Sequence, residues 1–262
     1  MLPLSAFPAE HSRRLRGLLF DLDDTLLTKG RLTREAYAAL WSLHDAGLLL
    51  VAVTGRPSGW GEVLVRQWPI DAAVTENGAV HVLRDGEGVA IRERCTPSER
   101  HTRRMRLAQI VASVQGIVPE ARLADDVAAR RSDITWDIGE RVRLPTDRVD
   151  LMAREIVANG ARTTRSSVHL HATFDEDDKA SGTVELLARS FAVDPGAALR
   201  TFAFVGDSGN DAACFAAFDA TFGVANVREH VARLTVPPRY VAEARMGAGF
   251  AEIARLLVHE RS

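Results

Sequence analysis

Short apolar runs alternate with a helix-like segment over the first 80 residues. Residues 17–20, 48–53 and 72–74 are apolar runs of strand length, and each is broken by polar or turn-forming residues. Between the first two runs, Thr33 has the character of an N-cap, apolar residues recur at helical spacing, and Gly47 supplies a stop. Strand, helix and strand in this order predict a parallel sheet with crossover helices.

The pattern changes after Gly78. A Gly-rich tetrapeptide, Asp85-Gly86-Glu87-Gly88, is flanked by two short apolar runs and predicts a hairpin. Ile134, Trp136 and Ile138 alternate with polar residues, which is typical of a half-exposed strand. Helices are predicted over 98–114 and 146–158 and a further strand over 168–172, so this stretch is expected to be a mixed α+β insert.

The first pattern resumes after about residue 175. We therefore predict an α/β fold with a Rossmann-like parallel-sheet core, formed by residues 1–81 and 176–262, and an inserted α+β cap domain at residues 82–175. Within the second core segment, the predicted strands are 201–205 and 220–224 and the predicted helices are 181–190, 211–217, 227–234 and 250–258.

Composition narrows the classes of function. The chain has 33 basic and 35 acidic residues and a net charge of −2, so it lacks the basic excess of a nucleic-acid-binding protein. The apolar run at 48–53 has six residues, whereas a membrane span needs about 20. Two cysteines, Cys95 and Cys214, cannot form a disulfide framework, and no signal peptide is evident, so a cytoplasmic location is expected. A monomer and a homodimer remain equally open.

Chemistry-bearing residues follow the predicted strands of the core. Ligands of open parallel sheets bind beyond the carboxyl ends of the strands, so these loops can converge. Asp21 and Asp23 come first; two close carboxylates can share a hard cation, and a carboxylate can also act as a nucleophile or a general acid. The alternative interpretation is an acidic turn or a helix cap.

Three further loops carry candidate groups. Thr54-Gly55-Arg56 offers a hydroxyl and backbone N–H groups that can hold phosphate oxygens, or it is a simple turn. Lys179 is one of only two lysines beside 31 arginines, and it can place an ammonium near paired carboxylates or form an ordinary salt bridge. Asp207 and Asp211, at a strand–helix junction, are candidate metal ligands or helix caps.

In this order, the acid pair, the threonine, the lysine and the second acid pair resemble the haloacid-dehalogenase-like (HAD) superfamily of phosphohydrolases. The insert between the second and third motifs resembles the cap of the C2B subgroup, which includes Cof-like phosphatases and sugar-phosphate phosphatases. Glu76-Asn77-Gly78-Ala79 and Gly223-Val224-Ala225-Asn226 also resemble this subgroup. Asp24 stands where glycine is common in the family, but aspartate tolerates a left-handed turn.

The resemblance implies a role for each matching residue. Asp21 would be the nucleophile that forms an aspartyl-phosphate, and Asp23 would be the general acid/base and lend a backbone carbonyl to Mg²⁺. Lys179 would balance the charge at Asp21. The substrate-binding residues would be Thr54, Gly55, Arg56 and Asn77, and the Mg²⁺ site would comprise Asp21, Asp23, Asp207 and Asp211.

The expected function is Mg²⁺-dependent hydrolysis of a small phosphorylated metabolite, with a sugar phosphate or a glycosylated phosphoglycerate as the preferred class. A phosphosugar mutase with the same core residues is the alternative. A phospho-accepting signalling module is a third reading, but Asp207, Asp211 and the long insert argue against it.

Several residues of the insert receive structural interpretations. His169 and His171 share one face of a strand, and we expect that face to be exposed, with a substrate contact or a metal pair as alternatives. Trp136 is expected to be a packing residue. Arg130 and Arg131 are candidates for meeting a second anionic group of the substrate.

Overall fold

The computed structural model describes residues 1–166, 168–259 and 261. Within these residues, nine α-helices pack on two β-sheets. The helices are α1 (Ala9–Arg14), α2 (Arg34–Asp45), α3 (Ser58–Gln67), α4 (Pro97–Ile117), α5 (Thr146–Ala158), α6 (Lys179–Phe191), α7 (Pro195–Thr201), α8 (Ala212–Ala217) and α9 (Met246–His259). The strands are β1 (Leu2–Pro3), β2 (Gly17–Phe20), β3 (Leu49–Val53), β4 (Ala72–Thr75), β5 (Val80–Asp85), β6 (Gly88–Glu93), β7 (Arg122–Leu123), β8 (Asp133–Asp137), β9 (Arg162–Arg165), β10 (His169–Thr173), β11 (Phe202–Gly206), β12 (Ala220–Gly223) and β13 (Tyr240–Val241).

The larger sheet has nine strands in the order β1-β13-β12-β11-β2-β3-β4-β5-β6. Neighbours from β1 to β4 pair in parallel, and β5 and β6 extend the sheet as an antiparallel hairpin. The predicted α/β class with a parallel core sheet and a separate α+β cap is therefore confirmed. The order also places β2 beside both β3 and β11, so loops from distant parts of the chain meet at one edge.

Helices cover both faces of this sheet. Leu18 and Phe20 of β2 pack against α2 and α9 on one face, and Leu19 packs with residues of α6, α7 and α8 on the other. All three side chains are fully buried, which explains why β2 is a continuous apolar run rather than an alternating one. Burial of each such side chain contributes about 1.5–3 kcal/mol to folding.

The predicted helix after Thr33 is confirmed as α2. The Thr33 hydroxyl accepts a hydrogen bond from the Ala36 backbone N–H at 3.2 Å, which satisfies one of the unpaired N–H groups of the first turn. Leu40 and Leu43 lie on its buried face, against the core. The sequence pattern thus located both the start of this helix and its packing face.

The smaller sheet is antiparallel, with four strands in the order β7-β8-β10-β9. Its apolar core contains Trp136 of β8, Leu107 of α4 and Met152 of α5, so Trp136 is a packing residue as predicted. The prediction that β8 is half exposed was wrong, because every residue of the strand is buried. Its polar face, with Asp133, is turned toward the larger sheet's loops.

The predicted hairpin belongs to the larger sheet. We expected the insert to begin at residue 82, but β5 pairs with β4 and carries β6 with it. The elements of the smaller sheet and its helices run from Pro97 to Thr173. The division of the chain into two domains remains a prediction, and the hairpin is better counted with the core. The segment predicted as a helix at 227–234 forms short 3₁₀ turns at Ala225–Glu229 and Val231–Arg233.

No helix within the described part of the chain combines the length and the apolar composition that a membrane span requires.

His81 of β5 is a buried histidine outside the candidate site. The residue is 6% exposed, and its Nε2 atom has no partner among the described residues. Burial lowers the pKa of His81 to about 4, although the nearby Asp177 carboxylate and the Gly182 backbone oppose the shift. The imidazole is therefore neutral in the folded protein at a pH where it is protonated in the unfolded chain.

Because of this difference, we expect the free energy of unfolding to fall when the solution is made more acidic. As the pH falls from 7 to 5, the unfolded chain gains a proton at His81 and the folded protein does not. The free energy of unfolding therefore decreases by about 2 kcal/mol. Denaturant unfolding at both pH values should show this loss in the wild type and a smaller one in His81→Gln. His44→Gln, at an exposed position, is the matched control; an equal pH dependence in all three proteins would contradict the prediction.

Candidate active site

Four loops converge at the carboxyl edge of the larger sheet. Asp21 directly follows β2, Thr54 follows β3, and Asp207 follows β11. Lys179 is the first residue of α6, whose N-cap is Asp178. The parallel pairing of β2 with β11 brings the first and last of these loops together, as the Asp21 backbone N–H donates to Val205 O at 2.9 Å.

Lys179 lies between two of the predicted carboxylates. Its Nζ atom is 2.6 Å from Oδ1 of Asp21 and 2.7 Å from Oδ1 of Asp211. The other oxygen of Asp211 accepts from the backbone N–H groups of Asp207 and Ser208 at 2.9 and 3.1 Å. Asp21, Asp207 and Asp211 each offer an oxygen within 4.8 Å of the others. The structure therefore assembles four of the residues that the sequence singled out.

Burial makes this cluster electrostatically costly. Desolvation raises the pKa of Asp21 to about 7, with Lys179 opposing the shift and the charges of Asp211 and Asp23 adding to it. Desolvation and the charges of Asp21 and Asp211 likewise raise the pKa of Asp207 well above its usual value. Burial alone would lower the pKa of Lys179, but Asp21 and Asp211 outweigh it and raise the pKa.

A divalent cation fits this donor set. Three buried carboxylates face one ammonium, so full ionisation leaves uncompensated negative charge in a desolvated space. Carboxylate oxygens are the ligands that Mg²⁺ prefers. Asp21 and Asp207 keep oxygens that Lys179 does not occupy, and they are the residues best placed to hold such an ion.

Two polar residues orient Asp207. Asn226 donates through Nδ2 to Asp207 Oδ2 at 2.8 Å and to the Asp24 carbonyl at 2.9 Å. The Thr25 hydroxyl donates to Asp207 Oδ1 at 3.3 Å. The sequence reasoning did not assign these two residues, although Asn226 ends one of the tetrapeptides that carried the family resemblance.

Asp23 lines the same cavity as Asp21 and Asp207, and its carboxylate pairs with Arg56. Its two carboxylate oxygens accept from Nε and Nη2 of Arg56 at 2.8 and 3.0 Å. The prediction that Asp23 contributes to the metal site concerned its backbone carbonyl and stays untested. Arg56, predicted to bind substrate, pairs with carboxylates in this structure, and its role toward a substrate stays a prediction.

The remaining predicted substrate-binding residues lie beside each other. The Thr54 hydroxyl accepts from the Arg56 backbone N–H at 3.1 Å, and Thr54 O accepts from the Asn77 backbone N–H at 3.1 Å. A Cβ atom at Gly55 would lie 3.1 Å from the Asn77 side chain, so Gly55 and Asn77 are adjacent. Their roles toward a substrate remain predictions.

Glycines bring the loop after β4 against the start of α6. Gly78 has a φ of +114°, and a Cβ atom at Gly182 would lie only 2.3 Å from the Gly78 carbonyl oxygen. A side chain at Gly182 would therefore push α6 outward, and Lys179 with it.

The cap strand β10 places two histidines over the site. His169 and His171 are each 4% exposed, so the prediction of an exposed face was wrong. They line one small cavity together with Asp21, Asp23 and Asp207. The sequence pattern placed both imidazoles on one face but could not show that the larger sheet's loops cover it.

Each imidazole has an acidic partner from the cap. His169 Nε2 lies 2.9 Å from Oε2 of Glu140, and His171 Nδ1 lies 2.8 Å from Oδ2 of Asp133. Burial lowers the pKa of His169, and the nearby His171 adds to that shift. The cap thus presents ring nitrogens that can hydrogen-bond a ligand held above Asp21.

Glu76 of the core holds the cap loop at residues 130–132. Its carboxylate accepts from the backbone N–H groups of Arg131 and Ser132 at 3.0 and 2.6 Å, and from the Ser132 hydroxyl at 2.6 Å. It also accepts from the core's own Ser58 N–H at 3.0 Å. Burial and the charge of Asp133 raise the pKa of Glu76. Glu76 therefore fastens the cap to the core.

Arg130 reinforces this junction. Its guanidinium donates to the Gly55 carbonyl at 3.0 Å and pairs with Asp126 and Asp133 of the cap. These contacts explain its burial, so the idea that Arg130 meets an anionic group of the substrate has no support in this structure. Arg131 contributes its backbone N–H, and its side chain approaches Glu93 at 3.5 Å.

Comparisons with known proteins agree with this geometry. Residues 18–105 match a family model described as haloacid dehalogenase-like hydrolase. No curated protein matches the chain. The matched segment contains the loop of Asp21 and Asp23 and the loop of Thr54 and Gly55.

Solved structures share the fold along nearly the whole chain. A Thermoplasma acidophilum protein superposes with a TM-score of 0.71 at 17% identity, covering 93% of this chain and 98% of that chain. A HAD-superfamily phosphatase from Bacteroides thetaiotaomicron has a TM-score of 0.61 at 20% identity, with 98% of both chains covered. The sucrose-phosphatase from Synechocystis, solved with sucrose and phosphate, has a TM-score of 0.63 at 18% identity, covering 92% of this chain and 98% of that chain.

These likenesses show that the chain shares its overall fold with these proteins. Within residues 18–105 the chain is similar to the haloacid dehalogenase-like hydrolases.

Proposed function

We propose that the protein is a Mg²⁺-dependent phosphomonoester hydrolase that works through an aspartyl-phosphate on Asp21. The observation that carries this proposal is Lys179 held between Asp21 and Asp211, with Asp207 beside them. A receiver-type signalling module would not need the second acid pair or the cap that closes over it.

The chain's own residues supply the two chemical steps. A carboxylate oxygen of Asp21 attacks phosphorus while the bond to the leaving oxygen breaks, and Asp23 gives that oxygen a proton. Asp23 then takes a proton from water as the water oxygen displaces Asp21 from phosphorus. Lys179 fixes the Asp21 carboxylate, and the buried cap histidines that line the cavity limit access of bulk water.

A Mg²⁺ ion held by Asp21 and Asp207, with Asp211 supporting them, would offset negative charge on the transferring phosphoryl oxygens. Asn226 and Thr25 keep Asp207 in the orientation that this role needs.

A small polar phosphate ester is the substrate class that the site supports. The cavity over Asp21 is small, and its cap side is lined by polar groups such as His169, His171 and Ser166. Proteins with a similar fold include a sugar phosphatase and the sucrose-phosphatase. We therefore propose a sugar phosphate or a glycosylated phosphoglycerate as substrate, hydrolysed in the cytoplasm.

The test is release of inorganic phosphate from a panel of phosphorylated metabolites. We expect hydrolysis of one or a few sugar phosphates with Mg²⁺ present, and free phosphate rather than an isomerised sugar phosphate as the product. Isomer formation from a hexose 1-phosphate would indicate the mutase reaction instead. No turnover of any ester would contradict the proposal.

Metal removal should stop the reaction reversibly. Treatment with EDTA is expected to lower turnover by at least about 100-fold, because the buried carboxylates then repel the phosphoryl group, and added Mg²⁺ should restore it. The same chelation should lower the melting temperature if the ion offsets charge in the folded cluster. Unchanged activity after complete removal of divalent metal would rule out the assigned metal role.

A further inference from the structure

Arg56 connects the cap to the residue that we assign as general acid/base. Its Nε and Nη2 atoms donate to the two oxygens of Asp23 at 2.8 and 3.0 Å, a two-point contact that fixes the plane of the carboxylate. Each oxygen keeps a second lone pair for proton transfer. The contact therefore orients Asp23 without blocking it.

Arg56 is itself held by the cap. Its guanidinium lies 3.6 Å from Asp126 and 3.5 Å from Glu140, both of the cap segment. Its Cζ atom lies over the ring of Trp60 of the core, 4.6 Å from the ring centroid. The side chain is 9% exposed. Two cap carboxylates and one core ring thus define the position from which Arg56 reaches Asp23.

The cap also forms a hydrogen bond with the backbone next to Arg56. Arg130 donates to the Gly55 carbonyl, one residue before Arg56, and the Glu76 carboxylate holds the backbone of residues 131 and 132. Lifting the cap would break these contacts together with the two ion pairs of Arg56. The orientation of Asp23 therefore depends on whether the cap is down.

We propose that Arg56 is a positioning residue that aligns Asp23 for proton transfer only when the cap contacts it. This inference rests on the proposed phosphatase function and assigns Arg56 a role beyond it. The guanidinium stays protonated throughout. In the first step, the Asp23 proton moves to the leaving oxygen as the P–O bond breaks; in the second, a proton of the attacking water returns to Asp23.

Substrates with different leaving groups can distinguish a role in positioning Asp23 from a role in binding the phosphoryl group. The oxygen of an alkyl ester needs a proton as it departs, whereas 4-nitrophenolate leaves without one. A residue that acts through Asp23 affects the alkyl ester selectively. A residue that binds the phosphoryl group affects both esters alike and also weakens inhibition by inorganic phosphate.

The experiment compares kcat and KM for 4-nitrophenyl phosphate and for the best alkyl phosphate of the metabolite panel, in the wild type, Arg56→Gln and Arg56→Lys. For Arg56→Gln we expect kcat on the alkyl ester to fall by about 100-fold, within the range of general-acid effects, and kcat on the aryl ester by less than about 5-fold. Inhibition by inorganic phosphate should be unchanged. Arg56→Lys should show most of the same selective fall in kcat on the alkyl ester, because an ammonium cannot make the two-point contact of a guanidinium.

A second variant tests whether the cap's contact with Arg56 matters, and it keeps the proposal testable if Arg56→Gln does not fold. Glu140→Gln, at a half-exposed position, should reduce kcat on the alkyl ester about 5-fold with little effect on the aryl ester. Glu120→Gln is the matched control, because Glu120 is a cap carboxylate paired with Arg148 away from the site.

Equal losses on both esters, a changed phosphate inhibition constant, or full activity of Arg56→Lys would overturn the proposal. Inactivity of the wild type on every ester would instead contradict the phosphatase function itself.

Discussion

Asp21→Asn is expected to lower Mg²⁺-dependent phosphate release by at least about 1,000-fold. The amide is a poor nucleophile toward phosphorus, so the aspartyl-phosphate cannot form. The variant should fold, because asparagine has nearly the same shape and Lys179 keeps its contact with Asp211. Turnover measured at saturating substrate and Mg²⁺, alongside thermal melting, is the measurement.

Asp24→Asn is the matched control for this change. It removes one carboxylate charge three residues along, outside the cluster of Asp21, Asp207 and Asp211, and its left-handed φ of 57° suits asparagine. We expect activity within a few-fold of the wild type. Substantial turnover by Asp21→Asn would refute the nucleophile assignment, and the remaining activity would have to come from another group.

Lys179→Met is expected to damage both stability and activity. The substitution leaves Asp21 and Asp211 buried without their counter-charge, and breaking a buried pair in this way costs about 3–5 kcal/mol. Activity should fall by at least about 100-fold, because Asp21 loses the group that fixes it. Urea unfolding and phosphate release report the two effects.

Added Mg²⁺ should recover part of the lost stability of this variant, since a cation then faces the same carboxylates. Lys29→Met, at the chain's only other lysine and at an exposed loop position, is expected to change neither quantity by more than about 0.5 kcal/mol or 2-fold. A Lys179→Met protein as stable as the wild type would contradict the predicted loss of stability.

Much of the site follows from one property of parallel sheets. Asp21, Thr54 and Asp207 each directly follow an apolar strand, and the carboxyl ends of parallel strands share an edge. Lys179 stood out because it replaces arginine in an arginine-rich chain. These signals are local, and they suffice to predict that four loops far apart in sequence converge.

The contacts between cap and core could not be predicted in the same way. His169 and His171 lie on the polar side of a strand, and nothing in that pattern tells solvent from a covering domain. Arg56 and Glu76 find their partners in the insert, at positions set by how the two sheets dock rather than by spacing along the chain. The hairpin after Gly78 was recognised as a hairpin, but its sheet was decided by pairing with β4.

The strand order has a consequence for how the protein is made. β2, which precedes the proposed nucleophile, needs β11 as one of its two neighbours, and β11 lies beyond the entire cap in sequence. A nascent chain therefore leaves the ribosome with its central strand half paired until the last quarter of the polypeptide has emerged. Such long-range pairing slows folding, so the candidate active site is expected to be among the last parts of the molecule to mature, after the cap has had time to fold.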